Sequence, residues 1–497
     1  MNNVIKVLTA VVHGITGRVF EVEVIAEHGR AGLVILGMPE ALARETHVRV
    51  TSALRNAGHP LSGCKVTINV PREIGPHRFA GDLPVAVGVL AAIGVVPVEA
   101  AQGVALLGEL SLDGMVRPVQ GVLPMVTALK AAGVKCIVVP DANRGEAALV
   151  SGLLCHAVDN LKDAVAFLRG DLDLPLVAPP AREDPPASSI DLADVSGQAH
   201  VKRAIEIAAA GGHHLLMVGP AGSGKTMLAR RLATLLPPMT EAEALEVTKV
   251  YSVAGLLQRR SGLVTQRPFR TPHHTASAAA VVGGGSRPRP GEVSLAHHGV
   301  LFVDEVTEWR RDVLEALLQP MGDGKVTITR NGETAVFPAD FLLVAAMGGC
   351  HCGWYGDPGH RCDCTPDMIV RHRQRAKVAA DWCDIHVEVP AVPFRDLARR
   401  GGGETSEQIR ARVVKARQVQ EARGGEVRNR LRTWSPADLP PEARRLLDAA
   451  QERLGLTGRS VSAVLRVART IADLESDDVR VVHISEAIQY RLLDRTA

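Results

Sequence analysis

The segment with the clearest chemistry is a glycine-rich loop between an apolar strand, predicted over residues 214–218, and a helix predicted over 227–236. The loop fits the pattern G-x-x-x-x-G-K-[ST]. In that pattern backbone N–H groups surround phosphates, the lysine reaches the β- and γ-phosphates, and the hydroxyl ligates Mg²⁺. The predicted phosphate-binding residues are Gly219, Pro220, Ala221, Gly222, Ser223, Gly224, Lys225 and Thr226. The flanking strand and helix favour an ATP–Mg²⁺ site over an ordinary glycine-rich turn.

A second apolar strand is predicted over residues 300–303 and is followed directly by Asp304 and Glu305. An acidic residue at the carboxyl end of a sheet strand lies where ligands bind in α/β folds. We expect Asp304 to hold Mg²⁺ through water and Glu305 to orient the attacking water. A strand followed by Asp-Glu is by itself commonly a solvated strand end. The P-loop earlier in the chain favours the catalytic interpretation.

Four of the eight cysteines are clustered with the spacing C-x-C-x₉-C-x-C. They are Cys350, Cys352, Cys362 and Cys364. Four thiolates can close a tetrahedral Zn²⁺ site, although C-x-C is tighter than the usual C-x₂-C, and His351 and His360 are rival ligands. Two interpretations stay open, a structural zinc site and a reduced loop without metal.

Residues 258–291 contain arginines but no Asp or Glu. The arginines are Arg259, Arg260, Arg267, Arg270, Arg287 and Arg289. The plain interpretation is a solvated loop, but so long a run without an acid favours contact with a polyanion such as DNA.

A β-hairpin is predicted over residues 325–337, with Asn331-Gly332 as its two-residue turn. Lys325 and Arg330 flank that turn and are further candidates for contact with DNA. The alternative is an ordinary edge hairpin.

The pattern of elements predicts an α/β multidomain protein. Residues 1–170 mix β-type runs with helices and read as an α+β domain, and residues 171–190 are a proline-rich linker. Short strands alternate with helices over residues 191–393, which indicates a mostly parallel sheet covered on both faces. Amphipathic runs over residues 394–497 predict a small helical domain.

The composition excludes several classes of protein. With 497 residues, of which 46% are hydrophobic, the chain can bury sizeable cores, and its net charge of +3 excludes a uniformly basic nucleic-acid coat. Aromatic residues make up 3%, too few for reading single strands by stacking bases on rings. The start does not read as a signal peptide, and the longest apolar stretch is too short and too interrupted to span a membrane. We therefore expect a cytoplasmic protein without a membrane partner.

These motifs resemble those of the magnesium-chelatase-like AAA+ ATPases of the YifB/ComM family over nearly the whole chain. The specific stretches include Pro-Phe-Arg-Thr-Pro-His-His-Thr at 268–275, Pro-Gly-Glu-Val-Ser-Leu-Ala-His at 290–297 and His-Val-Glu-Val-Pro at 386–390. The resemblance implies an N-terminal domain with a Lon-protease-like (ribosomal S5 domain 2-like) fold, an AAA+ P-loop core and a C-terminal helical lid. It also implies assembly into a homo-hexameric ring and, as in ComM, branch-migration helicase activity on DNA.

Carried over residue by residue, the resemblance makes Lys225 and Thr226 the Walker A pair and Asp304 and Glu305 the Walker B pair. Arg459 matches the lid arginine that senses the γ-phosphate. The arginine-rich stretch matches the helix-2 insert of this clade, and the hairpin its pre-sensor hairpin, both of which face the ring pore. This supports DNA as the polyanion.

Two departures from the family affect hydrolysis. Where the family reads Met-Asn-Pro-Cys-Pro-Cys-Gly, this chain reads Met-Gly-Gly-Cys-His-Cys-Gly, so Gly348 replaces the sensor-1 asparagine that positions the attacking water. Trp382 stands where an arginine acts on the ATP of the neighbouring subunit. Loss of such an arginine leaves binding intact and hydrolysis slow, although Arg371, Arg373 or Arg375 can substitute.

The N-terminal domain also departs from Lon. A Ser-Lys protease needs a serine nucleophile and a lysine base, but the corresponding stretches, residues 79–84 and 121–124, contain neither. We therefore expect a scaffold without protease activity.

Three hypotheses of function follow. The first is an ATP-driven ring that remodels DNA in recombination or transformation. The second is an ATP-binding, hydrolysis-impaired regulatory subunit beside a complete paralogous AAA+ subunit, supported by Gly348 and Trp382. The third, a metal-chelatase motor for tetrapyrroles, is weakest because the N-terminal domain points elsewhere.

Overall fold

The computed structural model of the protein describes residues 4–71, 79, 81–179, 190–257, 262–285, 288–330, 332–392, 403–424, 434–491 and 493–494. Half of the predicted linker, residues 180–189, and the predicted boundary at residues 393 and 394 therefore lie outside the described residues. Where the linker is described, Leu176 forms a bridge to His156 and so continues the N-terminal domain. No helix in the described part of the chain is long and apolar enough to cross a membrane.

The described part of the N-terminal region contains nine strands and six α-helices. The strands are β1 (Ile5–His13), β2 (Thr16–His28), β3 (Gly32–Leu36), β4 (Cys64–Asn69), β5 (Ala105–Leu106), β6 (Glu109–Leu110), β7 (Val116–Arg117), β8 (Cys136–Pro140) and β9 (Leu154–Val158). The helices are α1 (Glu40–Asn56), α2 (Asp82–Ala92), α3 (Val98–Gln102), α4 (Val122–Ala131), α5 (Arg144–Ala147) and α6 (Leu161–Arg169). Seven strands form one mixed sheet in the order β3-β4-β2-β1-β5-β8-β9. The α+β mixture predicted for this region is confirmed.

Among the residues of the central region that the structure describes, there are seven strands and nine α-helices. The strands are β10 (Leu215–Val218), β11 (Phe269–Arg270), β12 (Val300–Val303), β13 (Lys325–Arg330), β14 (Glu333–Pro338), β15 (Leu342–Met347) and β16 (Ile385–Glu388). The helices are α7 (Ala199–Gly211), α8 (Lys225–Leu235), α9 (Glu241–Ala254), α10 (Ala278–Val282), α11 (Glu292–Leu295), α12 (Arg311–Ala316), α13 (Leu318–Asp323), α14 (Pro366–Arg375) and α15 (Lys377–Trp382).

Five of these strands form a fully parallel sheet in the order β11-β12-β15-β10-β16. The three middle strands are apolar and buried along their whole length, because helices cover both faces of a parallel sheet. The carboxyl ends of parallel strands meet at one edge, and β15 lies between β10 and β12. The segments that follow β10, β12 and β15 therefore lie next to one another at that edge.

The C-terminal region consists of helices α16 (Ser406–Gly424), α17 (Pro441–Leu454), α18 (Gly458–Glu475) and α19 (Val481–Gln489). Their apolar residues belong to the same core cluster as α7, α8 and one face of the parallel sheet. The helices therefore pack directly on the sheet domain, and the predicted α/β multidomain class is confirmed.

The N-terminal region contacts the central region through α4 and α9. The buried carboxylate of Glu146 accepts hydrogen bonds from the Leu123 N–H at 2.7 Å and from the Ser252 hydroxyl, and the Gly121 N–H donates to the Ser252 carbonyl at 3.0 Å. Burial raises the pKa of Glu146. A buried polar group of this kind is stable only when its partners are in place, so these bonds fix how the two regions meet.

Asp384 connects the sheet domain to the C-terminal helices. It precedes β16 and is 5% exposed; its carboxylate contacts His213 Nδ1 at 2.8 Å and accepts from Arg466 Nη2 at 2.7 Å. Burial alone raises the pKa of a carboxylate, but the hydrogen bond and charge of His213, together with the Arg466 charge, hold the pKa of Asp384 well below its ordinary value. Since Arg466 belongs to α18, this ion pair joins two parts of the fold.

We predict that Asp384→Ala destabilises the protein by about 3–5 kcal/mol, since the change leaves buried positive charge without its partner. Chemical denaturation followed by far-ultraviolet circular dichroism measures the loss, with Asp381→Ala, which removes an exposed carboxylate nearby, as the control. Because the pKa is lower in the folded state, this contribution is present above about pH 4 and is lost as the pH falls further. Equal stability of the two variants at pH 7 would contradict the assignment.

Candidate functional site

The P-loop joins β10 to α8 at the carboxyl edge of the parallel sheet. Gly222 and Gly224 adopt positive φ angles of 75° and 91°, which glycine reaches without strain. A Cβ on Gly219 would lie 2.1 Å from the Val389 carbonyl oxygen, so this position too has no room for a side chain. The sequence pattern is thus explained by backbone geometry that opens the loop toward the N-terminus of α8.

Lys225 folds back onto its own loop. Its ammonium donates to the carbonyls of Gly219 at 2.8 Å and Pro220 at 2.7 Å. Burial lowers the pKa of Lys225, while the charges of Asp304 and Glu305 raise it. These carbonyl contacts hold the cation beside the loop, where bound phosphates can attract it away from the weaker neutral acceptors.

The two acidic residues follow β12 and meet the P-loop. The Thr226 hydroxyl donates to Asp304 Oδ2 at 3.0 Å. Neighbouring corners of an octahedral Mg²⁺ site with bonds of 2.0–2.1 Å are about 2.9 Å apart, so this oxygen pair fits the ion that the P-loop pattern implies. Glu305 has a positive φ of 48°, which is uncommon for a residue with a side chain. His274 Nδ1 lies 3.8 Å from Glu305 Oε2.

A cleft of about 600 Å³ opens at this edge of the sheet. The structure brings together in its lining most of the predicted site residues, namely Ala221, Gly222, Gly224, Lys225, Thr226, Asp304 and Glu305. Gly219, Pro220 and Ser223 belong to the loop but do not line the cleft. Phosphate-binding backbone, a lysine, a hydroxyl and two carboxylates are the groups that phosphoryl transfer requires.

The same cleft contains polar residues that the sequence analysis missed as a group. Gly348 follows β15 and lines the cleft together with Glu308, His351 and His372. His372 Nε2 lies 3.2 Å from the Gly348 carbonyl oxygen, so the ring donates to that carbonyl. The sequence predicts His351 only as a rival ligand beside the cysteines, and no spacing rule connects it to α14.

The arginines expected to act on ATP lie elsewhere. Arg459 is exposed on the first turn of α18 and is not among the residues that line the cleft. On α14, Arg371 and Arg375 are exposed, whereas the Arg373 guanidinium lies over the Tyr355 ring at 5.3 Å. Arg459 and an arginine that acts on a neighbouring subunit stay predictions.

Trp382, where that arginine was expected, is half-buried at the end of α15 and packs against the core that includes Ala379 and Cys383. Its ring therefore contributes to packing of the sheet domain.

The four clustered cysteines converge on one point. The Sγ atoms of Cys350, Cys352 and Cys362 are separated by 3.3, 3.6 and 3.6 Å, and Cys364 completes a group of four. Sulfurs around a tetrahedral zinc with bonds of 2.3 Å are about 3.8 Å apart. The residues present therefore fit a zinc ion.

The surroundings of the sulfurs fit the same ion. The Tyr355 N–H donates to the Cys350 sulfur at 3.3 Å, and the Trp354 N–H lowers the pKa of Cys352 to about 6. Such donors commonly accompany metal-bound thiolates. His360 instead contacts Asp357 at 3.2 Å and stacks on Trp354, and neither predicted rival histidine belongs to the sulfur group.

The cysteine loop also contacts the P-loop. The Ala221 N–H donates to the Gly353 carbonyl at 3.0 Å, and Gly353 lies one residue after Cys352. Ordering of the four thiols by a metal would therefore also fix one wall of the cleft.

Two of the six arginines in the acid-free stretch are held in ion pairs. Arg267 contacts Glu243 at 3.0 Å and three backbone carbonyls, and Arg270 makes two hydrogen bonds to Glu292 at 2.7 and 2.8 Å. Arg289 is exposed. Arg259, Arg260 and Arg287 lie outside the described residues. The acids that pair with this stretch come just before and just after it in the chain.

The predicted hairpin is confirmed as β13 and β14, which pair in register from Lys325 and Pro338 to Arg330 and Glu333. Val326 and Ile328 are buried, whereas Lys325 and Arg330 are exposed. Asn331 in the turn lies outside the described residues. The two exposed cations lie apart, Lys325 at the open end of the hairpin opposite Pro338 and Arg330 next to the turn, and their side chains leave opposite faces of the strand.

In the N-terminal region, Asp82 begins α2 within the stretch where a protease would carry its serine. The Asp82 side chain is fully buried, accepts from Arg49 Nε at 2.6 Å and accepts the Leu110 N–H at 3.1 Å. These contacts stabilise the start of a buried helix, and they account for the acid at this position.

Comparison with protein families gives matches along most of the chain. Residues 191–397 match the family described as magnesium chelatase, subunit ChlI, residues 22–143 match subunit ChlI of Mg-chelatase, and residues 403–491 match the ChlI C-terminal family. The match over residues 191–397 includes all the residues that line the cleft.

Individual relatives extend the match to the full length. The chain is 39% identical to competence protein ComM of Haemophilus influenzae and 39% identical to YifB of Escherichia coli, each over 97% of this chain and 96% of the relative. It is also 29% identical to Lon protease 2 of Bacillus subtilis over 33% of this chain and 31% of the relative. Full-length similarity of this degree, together with the cleft and its P-loop, shows that the chain belongs to the YifB/ComM family of magnesium-chelatase-like AAA+ proteins.

Proposed function

We propose that the protein binds and hydrolyses ATP in this cleft and uses the energy to remodel DNA as part of a ring. The observation that supports it most directly is the convergence of Lys225, Thr226, Asp304 and Glu305 at one edge of the parallel sheet. These four residues come from two distant parts of the chain and meet in the cleft that we propose for a nucleoside triphosphate.

Each residue has a distinct role in this proposal. The N–H groups at the start of α8 bind phosphate oxygens, and the Lys225 ammonium leaves its loop carbonyls for the β- and γ-phosphates. Thr226 and Asp304 hold Mg²⁺, which neutralises phosphate charge when it is bound. The Glu305 carboxylate accepts a hydrogen bond from the attacking water and then its proton.

Family membership supports assembly into an oligomer, and exposed cations on the surface support DNA binding. AAA+ proteins work as oligomers, and we infer a homo-hexamer. The exposed cations Arg289, Lys325 and Arg330 suit a phosphate backbone, which is bound through charge without reading bases. One relative is a competence protein, which agrees with a role in DNA uptake or recombination.

A second candidate is an ATP-binding subunit with impaired hydrolysis. It is favoured by the missing side chain at Gly348 and by Trp382, whose ring packs into the core. In this case nucleotide binding would regulate assembly with a complete paralogous subunit. A chelatase motor is supported by the family names alone, without any feature of the cleft that selects it.

We predict that Glu305→Gln lowers steady-state ATP turnover about 100-fold or more, because loss of a general base has that magnitude. Affinity for a fluorescent ATP analogue should stay within about twofold, since glutamine retains the size of the side chain. Glu442→Gln, an exposed carboxylate on α17, is the matched control and should leave turnover unchanged.

Turnover should also rise when branched DNA is added to the wild-type protein. A wild-type rate equal to that of Glu305→Gln, with nucleotide still bound, would contradict the motor and support the regulatory subunit.

We predict one zinc per chain in protein purified without chelator, measured by inductively coupled plasma mass spectrometry. The double change Cys350→Ser with Cys352→Ser should remove it, because two of four ligands are lost. Cys64→Ser with Cys136→Ser, which changes two cysteines far from the cluster, should not. Metal at only trace level in the wild type would refute the zinc assignment.

We predict that Lys325→Ala with Arg330→Ala weakens DNA binding and makes the slope of log K against log salt concentration about 1.4 to 1.8 units shallower, since each lost phosphate contact contributes about 0.7–0.9. Fluorescence anisotropy with labelled DNA at several salt concentrations measures this. Lys415→Ala with Arg445→Ala, exposed on α16 and α17, is the charge-matched control. The same slope for both double variants would exclude the hairpin as a DNA contact.

A further inference from the structure

The residue that follows β15 at the edge of the sheet is a glycine and offers no side chain to the cleft. Because β15 lies between β10 and β12, the residue after it faces the space between Lys225 on one side and Asp304 on the other. That residue is Gly348, which lines the cleft but carries no polar group. The resemblance described above implies an asparagine that positions water at this place, and glycine has no side chain for that role.

Three polar side chains from other elements surround this place. A carboxylate oxygen of Glu308 and one ring nitrogen each of His351 and His372 lie within 4.8 Å of one another. All three line the cleft that contains Lys225 and Glu305.

His372 is the best-defined member of the group. It lies on α14, is 6% exposed, and its Nε2 is 3.2 Å from the Gly348 carbonyl oxygen. A carbonyl oxygen only accepts hydrogen bonds, so Nε2 carries the proton. Burial lowers the pKa of His372, which favours the neutral ring at pH 7. In the neutral ring the remaining nitrogen, Nδ1, is a hydrogen-bond acceptor.

We propose that His372, set in place by the Gly348 carbonyl and flanked by Glu308 and His351, takes over the positioning of the attacking water from the side chain that Gly348 lacks. This inference rests on the proposed ATP hydrolysis. The water has two O–H bonds; one donates to the Glu305 carboxylate and the other to His372 Nδ1. Its lone pair is then directed at the γ-phosphorus.

The reaction balances with these groups alone. The water oxygen forms a bond to the γ-phosphorus, the bond from that phosphorus to the β–γ bridging oxygen breaks, and ADP leaves with the electron pair. The water proton passes to the Glu305 carboxylate. His372 keeps its own proton on Nε2 throughout and contributes orientation only.

The test compares ATP turnover of His372→Ala, His372→Asn and the local control His360→Ala. His360 is exposed in the neighbouring cysteine loop and does not line the cleft. We expect His372→Ala to lower kcat at least tenfold with unchanged affinity for a non-hydrolysable ATP analogue. His372→Asn should retain part of the turnover because its amide still offers an acceptor, and His360→Ala should retain all of it.

A second change supplies a rescue. A Cβ on Gly348 would lie 3.2 Å from the Cys350 carbonyl oxygen, and the backbone there does not have a positive φ, so Gly348→Asn needs only a small shift of that carbonyl. Gly348→Asn should restore turnover to His372→Ala while changing the wild-type rate much less. A purely structural role for His372 would not be rescued from residue 348.

The outcomes separate the two proposals. If the wild type exceeds Glu305→Gln in turnover but His372→Ala equals the wild type, the role of His372 is overturned and ATP hydrolysis stands. If His372→Ala loses nucleotide affinity in step with kcat and is not rescued, the role of His372 is likewise overturned. If the wild type turns over no faster than Glu305→Gln, the proposed hydrolysis fails, and this inference fails with it.

Discussion

The hydrogen bond from Thr226 to Asp304 joins the two halves of the nucleotide site. It links the first turn of α8 to the end of β12 across the edge of the parallel sheet. The bond forms because parallel strands end at the same edge and because β15 sets the spacing between the strands on either side. The position of the cleft, the backbone conformation of Glu305 and the placement of Gly348 all depend on that arrangement.

Away from this edge the fold compensates its buried charges with specific partners. Asp384 lies between His213 and Arg466 and so couples the C-terminal helices to the sheet, while Glu146 couples the N-terminal region to α9. Leaving one member of such a group without its partner is costly in a low-dielectric interior. Relative movement of the regions during an ATP cycle must therefore keep these contacts or exchange them for others.

The sequence predicted those features that depend on neighbours along the chain. The P-loop, the strand before Asp304, the hairpin and the C-terminal helices have local signatures, and the structure confirms them. Pairings between residues that are far apart in the chain could not be predicted from the sequence. The run without acids around Arg270 suggested an uncompensated basic surface, yet Glu292 lies just beyond it and neutralises that arginine. The contact between His372 and Gly348 joins two elements and residues that are 24 positions apart, and no periodicity in the sequence predicts it.

The proposed function requires that ATP bound in this cleft is cleaved there. In a single-turnover experiment, radiolabelled ATP with Mg²⁺ is mixed with excess protein, and labelled ADP is followed over time in the wild type and in Glu305→Gln. We expect bound ATP to be converted to ADP in the wild type and to persist in the variant. ATP that stays bound and intact in both proteins would refute the proposed hydrolysis.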